Sequence, residues 1–128
     1  NVKTVILFGY HGKLIKLAGG IFHTHNHLAD GRIEILVYLA VKEKLPLEII
    51  VKLSNLNNIE DALLLLERFN KSVANNLFQK LSNLIEKRSS SYIKRYVTTD
   101  MEIAVILFDR KRKIRWSGTN GKNYISYF

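Results

Sequence analysis

VKTVILFGYHGKLIKLAGG, residues 2–20, is the stretch on which the architecture turns. Residues 2–8 form an almost continuous apolar run rich in β-branched side chains that stops at Gly9, which predicts a buried β-strand. From Gly12 or Lys13 the apolar residues Leu14, Ile15, Leu17, Ala18 and Ile21 fall at helical spacing. A helix is therefore expected next, weakened or ended by Gly19-Gly20. Strand, glycine-bearing turn and helix start, in that order, place free backbone N–H groups and a positive helix dipole at the end of a sheet. That geometry suits a carboxylate or a phosphate.

Outward from this unit the pattern stays mixed. Asp30 is positioned to cap a second helix, with Ile33, Leu36, Val37 and Ala40 as its apolar face, until Lys44 and Pro46 stop it. Asn58 caps a third helix, Asp61 sits near its positive end, and the apolar run 62–66 continues toward Phe69. A fourth, about residues 73–88, buries Val73, Leu77, Leu81, Leu84 and Ile85, and Ser89-Ser90-Ser91 closes it. Strand signals follow, marginal over residues 96–99, strong over 101–108, and returning over 114–117 after the charged turn 109–113. Residues 118–128 show no clear period. With no internal repeat, linker or low-complexity stretch, the expectation is one α/β domain, with a mixed α+β arrangement left open: a small mixed sheet packed against about four helices.

Composition bounds the function classes. The 128 residues are 47% apolar, ample for a single core. There is no cysteine, hence no disulfide framework, thiolate metal site or thiol nucleophile, which fits the cytoplasm. The longest apolar runs are far too short to span a bilayer, and no secretory signal is visible, so no membrane partner is expected. The net charge is +9 and unevenly placed: residues 1–64 hold 7 Lys/Arg against 6 Asp/Glu, residues 65–128 hold 13 against 5. The basic second half favours an anionic partner, a carboxylated small molecule and a nucleic acid both qualifying.

Residues 9–32 concentrate the chemistry, with all four histidines, two lysines and most of the glycines. Gly12-Lys13 matches the end of a phosphate-binding loop, yet Leu14 stands where magnesium needs Ser or Thr and Gly9 has the wrong spacing, which rejects a nucleotide triphosphatase. Lys13 and Lys16 lie three apart on one helical face and can reach one polyanion, or simply form a solvated face. His23, His25 and His27 alternate, so in an extended stretch their rings share one side. No acidic ligand stands beside them at a diagnostic spacing, and hydrogen bonding or proton transfer is preferred to a protein-bound metal. Asp30 is a helix cap or a site residue. Arg32 either grips a carboxylate through two parallel bonds or pairs with an acid on its own helix, and Glu34 is placed to orient His25 or Arg32.

The run Gly12-Lys13-Leu14-Ile15-Lys16-Leu17-Ala18-Gly19-Gly20-Ile21-Phe22, then Thr24-His25, then Ala29-Asp30-Gly31-Arg32-Ile33-Glu34, resembles a segment late in CbiD proteins, the cobalt-precorrin-5B C1-methyltransferases of anaerobic cobalamin synthesis. The resemblance is strongest over residues 12–34 and continues loosely through the helices and terminal strands. It implies that residues 1–128 are a C-terminal fragment of a longer enzyme, partnered by the missing N-terminal part of the same chain. It further implies S-adenosylmethionine as methyl donor, with no site located here, and a carboxylated cobalt-corrinoid as substrate. It supports Lys13 and Lys16 at the substrate and His25, in the Thr24-His25 pair, for orientation or proton removal. From the residues themselves, the turn from Gly9 to Gly12 is expected to allow close backbone approach, and Asp30 and Arg32 to join the substrate contacts. Such a fragment alone is not expected to turn over.

Two other classes stand beside this one. Arg110-Lys111-Arg112-Lys113, with Arg115 and Trp116 behind them, interleave cations and an aromatic ring as nucleic-acid binders do, although zinc-finger and RNA-recognition signatures are absent. A non-catalytic structural domain, or one that forms a homo-oligomer, predicts affinity for neither ligand.

Overall fold

A computed structural model describes residues 4–10, 14, 15, 18, 32–95, 101–109 and 111–128. Its elements run β1 (Thr4–Tyr10), α1 (Arg32–Lys42), α2 (Leu47–Ser54), α3 (Ile59–Phe69), α4 (Lys71–Lys94), β2 (Glu102–Phe108), β3 (Ile114–Ser117) and two short 3-10 turns, Gly121–Asn123 and Ile125–Tyr127. Leu14, Ile15 and Ala18 also have helical backbone.

β2 is the central strand. It pairs in parallel with β1, Thr4 opposite Glu102 through Tyr10 opposite Phe108, and antiparallel with β3. Residues 103–107 are accordingly buried on both faces. A parallel pair cannot be closed by a hairpin and needs a crossover, here supplied by the helical layer. On that side Ile103, Val105 and Leu107 pack with Leu77, Phe78, Leu81 and Ile85 of α4, each fully buried and worth about 1.5–3 kcal/mol of transfer free energy. On the other side the C-terminal segment crosses the sheet. Tyr124 Oη donates to Glu102 Oε1 at 2.8 Å, and the Phe128 ring lies 4.8 Å from that of Phe8.

The α/β class, the small mixed sheet, the strong strand and hairpin, the Asn58 cap and the stop at Lys44 and Pro46 all agree with expectation. Asn58 Oδ1 accepts the Asp61 N–H at 2.9 Å, and Lys44 takes a left-handed φ of 57°. Four readings need correction. β1 is not a buried strand: it has one partner among the described strands, residues 4–7 are half-buried and Phe8 is 42% exposed. An apolar run reports side-chain preference, not the number of neighbours. The buried face of α1 is Ile35, Leu36, Leu39 and Ala40, with Ile33 and Val37 only part-buried, because α1 packs against both α2 and α4. α2 was not foreseen, since its apolar residues are too dense to show a period; it buries only Ile49 and Leu53 and leaves Leu47 exposed. The fourth helix starts at Lys71, capped by Asn70, and passes through all three serines to Lys94. The low helix propensity of serine is a weak prior, and Ser89, buried one turn beyond Ile85, is held by packing. The marginal strand at 96–99 and the Asp30 cap lie outside the described residues.

The segment read as patternless, residues 118–128, has a definite task. β3 pairs only with residues 106–108 of β2, so the remaining edge of β2 needs other partners. Gly118 N–H donates to the Val105 carbonyl at 3.0 Å, and Asn120 Nδ2 donates to the Ile103 carbonyl at 2.9 Å. From α4, Glu86 accepts the N–H groups of Val105 (2.9 Å), Asn120 (3.1 Å) and Gly121 (2.8 Å). One buried side chain thus ties helix, central strand and C-terminal loop together.

Candidate functional site

Because β1 and β2 are parallel, their carboxyl ends share one edge, the place where such sheets ordinarily bind ligands. Gly9 lies opposite Leu107 and Tyr10 opposite Phe108, and the hairpin 109–113 leaves from the same edge. The N-terminal turns of α4 reach it too, since Asn75 and Asn76 line a cleft of about 580 Å³ with Lys113, Arg115 and Trp116.

Asp109 organises the hairpin. Its Oδ1 accepts the N–H groups of Lys111 (2.9 Å) and Lys113 (3.1 Å), while its Oδ2 takes Arg115 Nη1 at 3.3 Å. The other arm of Arg115 reaches Glu67 of α3 at 3.2 Å, and its guanidinium sits 4.6 Å from the Trp116 ring centre. Burial works to raise the Asp109 pKa, but the bonds from Lys113, Arg115 and Lys111 outweigh it and hold the carboxyl below its ordinary 3.8. A depressed pKa contributes stability that is complete above the unfolded-state value and is lost as pH falls through the folded one. Asp109→Asn is therefore expected to flatten the decline of urea midpoint below about pH 4, whereas an unchanged acid limb would discount this carboxyl.

The predicted site residues divide. Gly9 is not in a turn: β1 continues through Tyr10, and Leu14 fills the space of the missing side chain, 2.9 Å from where a Cβ would stand. Gly9 is thus explained by packing. Arg32 opens α1 and lines a cleft with Ile33, Glu34, Ser54, Leu56 and Asn57. Asn57 precedes α3, whose Glu67 is joined to the hairpin through Arg115. Gly12, Lys13, Lys16, Thr24, His25 and Asp30, with His23 and His27, lie outside the described residues. The edge itself, with Lys111, Arg112 and Lys113, was visible in sequence only as a rival nucleic-acid signal. That signal loses its stacking platform here: Trp116 is 3% exposed and stacked on Phe78 at 4.6 Å, and Arg115 is engaged by two acids.

S-adenosylmethionine needs an apolar slot for adenine with an acid for the ribose. Of the described clefts, the one lined by Ala18, Glu34, Ile35, Tyr38 and Arg88 comes nearest in chemistry, but at about 200 Å³ it is below the 300 Å³ or more typical of such sites. The described residues do not fit the cofactor. Among them no helix is long and apolar enough to cross a membrane.

Fold and edge together define an α/β domain with a basic hairpin at the carboxyl end of a parallel strand pair. Residues 23–119 match the family model described as CbiD, C-terminal domain, and the chain belongs to that family. It is 79% identical over all 128 residues to the cobalt-precorrin-5B C(1)-methyltransferase of Prochlorococcus marinus (strain MIT 9215), covering 35% of that protein. It is 72% identical over 128 residues to the protein of the same name from strain MIT 9515, covering 34%. The chain thus spans about a third of the length of the curated relatives it matches. No solved structure matches it.

Proposed function

We propose that residues 1–128 form the C-terminal part of a methyltransferase that moves a methyl group to C1 of cobalt-precorrin-5B in cobalamin biosynthesis. The full-length identity of 79% to a protein of that name carries this reading. The methyl donor in this reading is S-adenosylmethionine. This domain's work is assigned to the macrocycle, whose carboxylates it holds so that C1 faces the incoming methyl in line. Lys13 and Lys16 serve the carboxylates, and Thr24 and His25 orient the ring or remove a proton.

The test is calorimetric titration of the full-length polypeptide with cobyrinic acid, a cobalt corrinoid polycarboxylate, beside a Lys13→Ala, His25→Ala variant, together with methyl transfer from labelled S-adenosylmethionine. Wild-type binding that the variant weakens about tenfold or more supports the reading, as expected for loss of a charged hydrogen-bond partner. Absence of both binding and transfer in the wild type overturns it.

A further inference from the structure

We propose that the face of the sheet turned away from α4, where Phe8, Tyr127 and Phe128 stand exposed, is the surface on which the N-terminal part of the full-length polypeptide packs. The inference rests on family membership and on the length of the relatives, and it is independent of the reaction proposed above.

Strand register gathers the rings on one face. Residues paired across neighbouring strands project to the same side, and successive residues alternate. Ile103, Val105 and Leu107, which meet α4, share their side with their β1 partners Val5, Leu7 and Gly9. Phe8, opposite Ile106, and Phe108, opposite Tyr10, therefore lie on the other side, with Thr4 and Glu102. The C-terminal residues join them there. The Phe8 ring is 5.4 Å from that of Phe108 and 4.8 Å from that of Phe128. Tyr124 Oη donates to Glu102 and meets Thr4 Oγ1 at 3.3 Å, and the Tyr127 ring lies 6.3 Å from that of Tyr124. This second layer is thin. A parallel strand pair is ordinarily covered by helices on both faces, yet among the described residues this face carries only the two 3-10 turns. Ala104 and Ile106 are fully buried, whereas Phe8, Tyr127 and Phe128 leave about 350 Å² of aromatic surface open, at roughly 200 Å² per ring.

Size, shape and charge choose the occupant. Such an area is under half of the roughly 800 Å² per partner of a stable free-standing complex, which argues against a second copy. A segment of the same polypeptide meets the surface at a high effective concentration and needs less area. None of the described clefts is lined by any of the three rings, so a small molecule finds no enclosure there. Lys111 and Lys113 line clefts shared with residues of α3 and α4, on the helical side, and the charged side chain bonded into the aromatic face is Glu102, so a polyanion finds no cationic rim. The polypeptide itself supplies the remaining candidate. The chain covers 35% of a relative 79% identical to it, and the family model that it matches over residues 23–119 is that of a C-terminal domain. Both pieces of the exposed patch, β1 and residues 124–128, fall outside that matched stretch, which sets the patch at the border with the rest of the polypeptide.

The test is hydroxyl-radical footprinting of the full-length polypeptide, read by mass spectrometry, in which oxidation of a side chain follows its exposure to solvent. Controls of the same residue type remove differences in intrinsic reactivity. Tyr127, 79% exposed, is compared with Tyr38 at 45%, and Phe128, 60% exposed, with Phe69 at 40%. Packing of the N-terminal part is expected to invert both orders, Tyr127 and Phe128 oxidising at least about threefold more slowly than their controls, as residues in the core of an interface lose most of their solvent contact. A second reading uses Tyr127→Asp in the same polypeptide. A carboxylate buried in the contact should displace the packed part and speed oxidation of Phe8 and Phe128 about threefold, with Phe69 within about twofold of wild type. Oxidation in the order of the exposures above, Tyr127 faster than Tyr38 and Phe128 faster than Phe69, overturns the inference, as does a Tyr127→Asp variant with the wild-type pattern. Protection that is lost on dilution overturns it in favour of a second copy, and protection that needs added cobyrinic acid overturns it in favour of a ligand surface. None of these outcomes bears on the methyltransferase reading, which the binding and transfer assays decide.

Discussion

Glu86→Ala is expected to destabilise the domain by about 4 kcal/mol, because it leaves the N–H groups of Val105, Asn120 and Gly121 without their acceptor inside the protein. Each orphaned donor loses a bond to a carboxyl oxygen and water reaches the site poorly, Glu86 being only 7% exposed. For a domain of ordinary stability that is a large share of the total. Glu86→Gln is the informative comparison. Its single oxygen can keep the Val105 and Gly121 donors, but its NH2 then faces the Asn120 N–H, donor against donor, for an expected loss of about 2 kcal/mol. Urea denaturation should place the three proteins in the order wild type, Gln, Ala, and equal midpoints for all three would refute the account.

Gly121→Ala is expected to cost about 3 kcal/mol for a different reason. A Cβ on Gly121 would overlap the carbonyl oxygen of Val105, and that atom belongs to the central strand, which cannot retreat as a side-chain tip can. The loop must lift instead, breaking the bonds from Asn120 and Gly121 to Glu86. Gly118→Ala meets the Glu86 carboxyl itself and should act by expelling it. Since Glu86→Ala and Gly121→Ala open the same contact, the double variant should be destabilised by clearly less than the sum of the two. Strict additivity in thermal melts would mean that the loop and the helix hold β2 independently.

These positions also show why the C-terminal segment was opaque at the level of sequence. The requirement for glycine at 118 and 121 comes from atoms of residues 86 and 105, far away along the chain. Ser89-Ser90-Ser91 misled for the same cause, a local preference overruled by a tertiary one: Ser89 lies on the inward face of α4. Asn58 and Lys44, whose roles depend on neighbours three or four residues off, were readable at once.

The candidate site divides along the same line. The family, the strong strand 102–108, the hairpin and the existence of three of the four helices are properties of near neighbours and of composition, and were legible in the linear chain; α2 was not. Which of those residues share a place depends on strand direction and register. The parallel pairing of β1 with β2 turns a stretch read as a rival nucleic-acid signal into a neighbour of the Gly9 strand end. Nothing in residues 9–32 encodes the partner strand about a hundred positions on. That choice is made by burial of Ile103, Val105 and Leu107 against α4, a free energy that exists only once the chain has closed on itself.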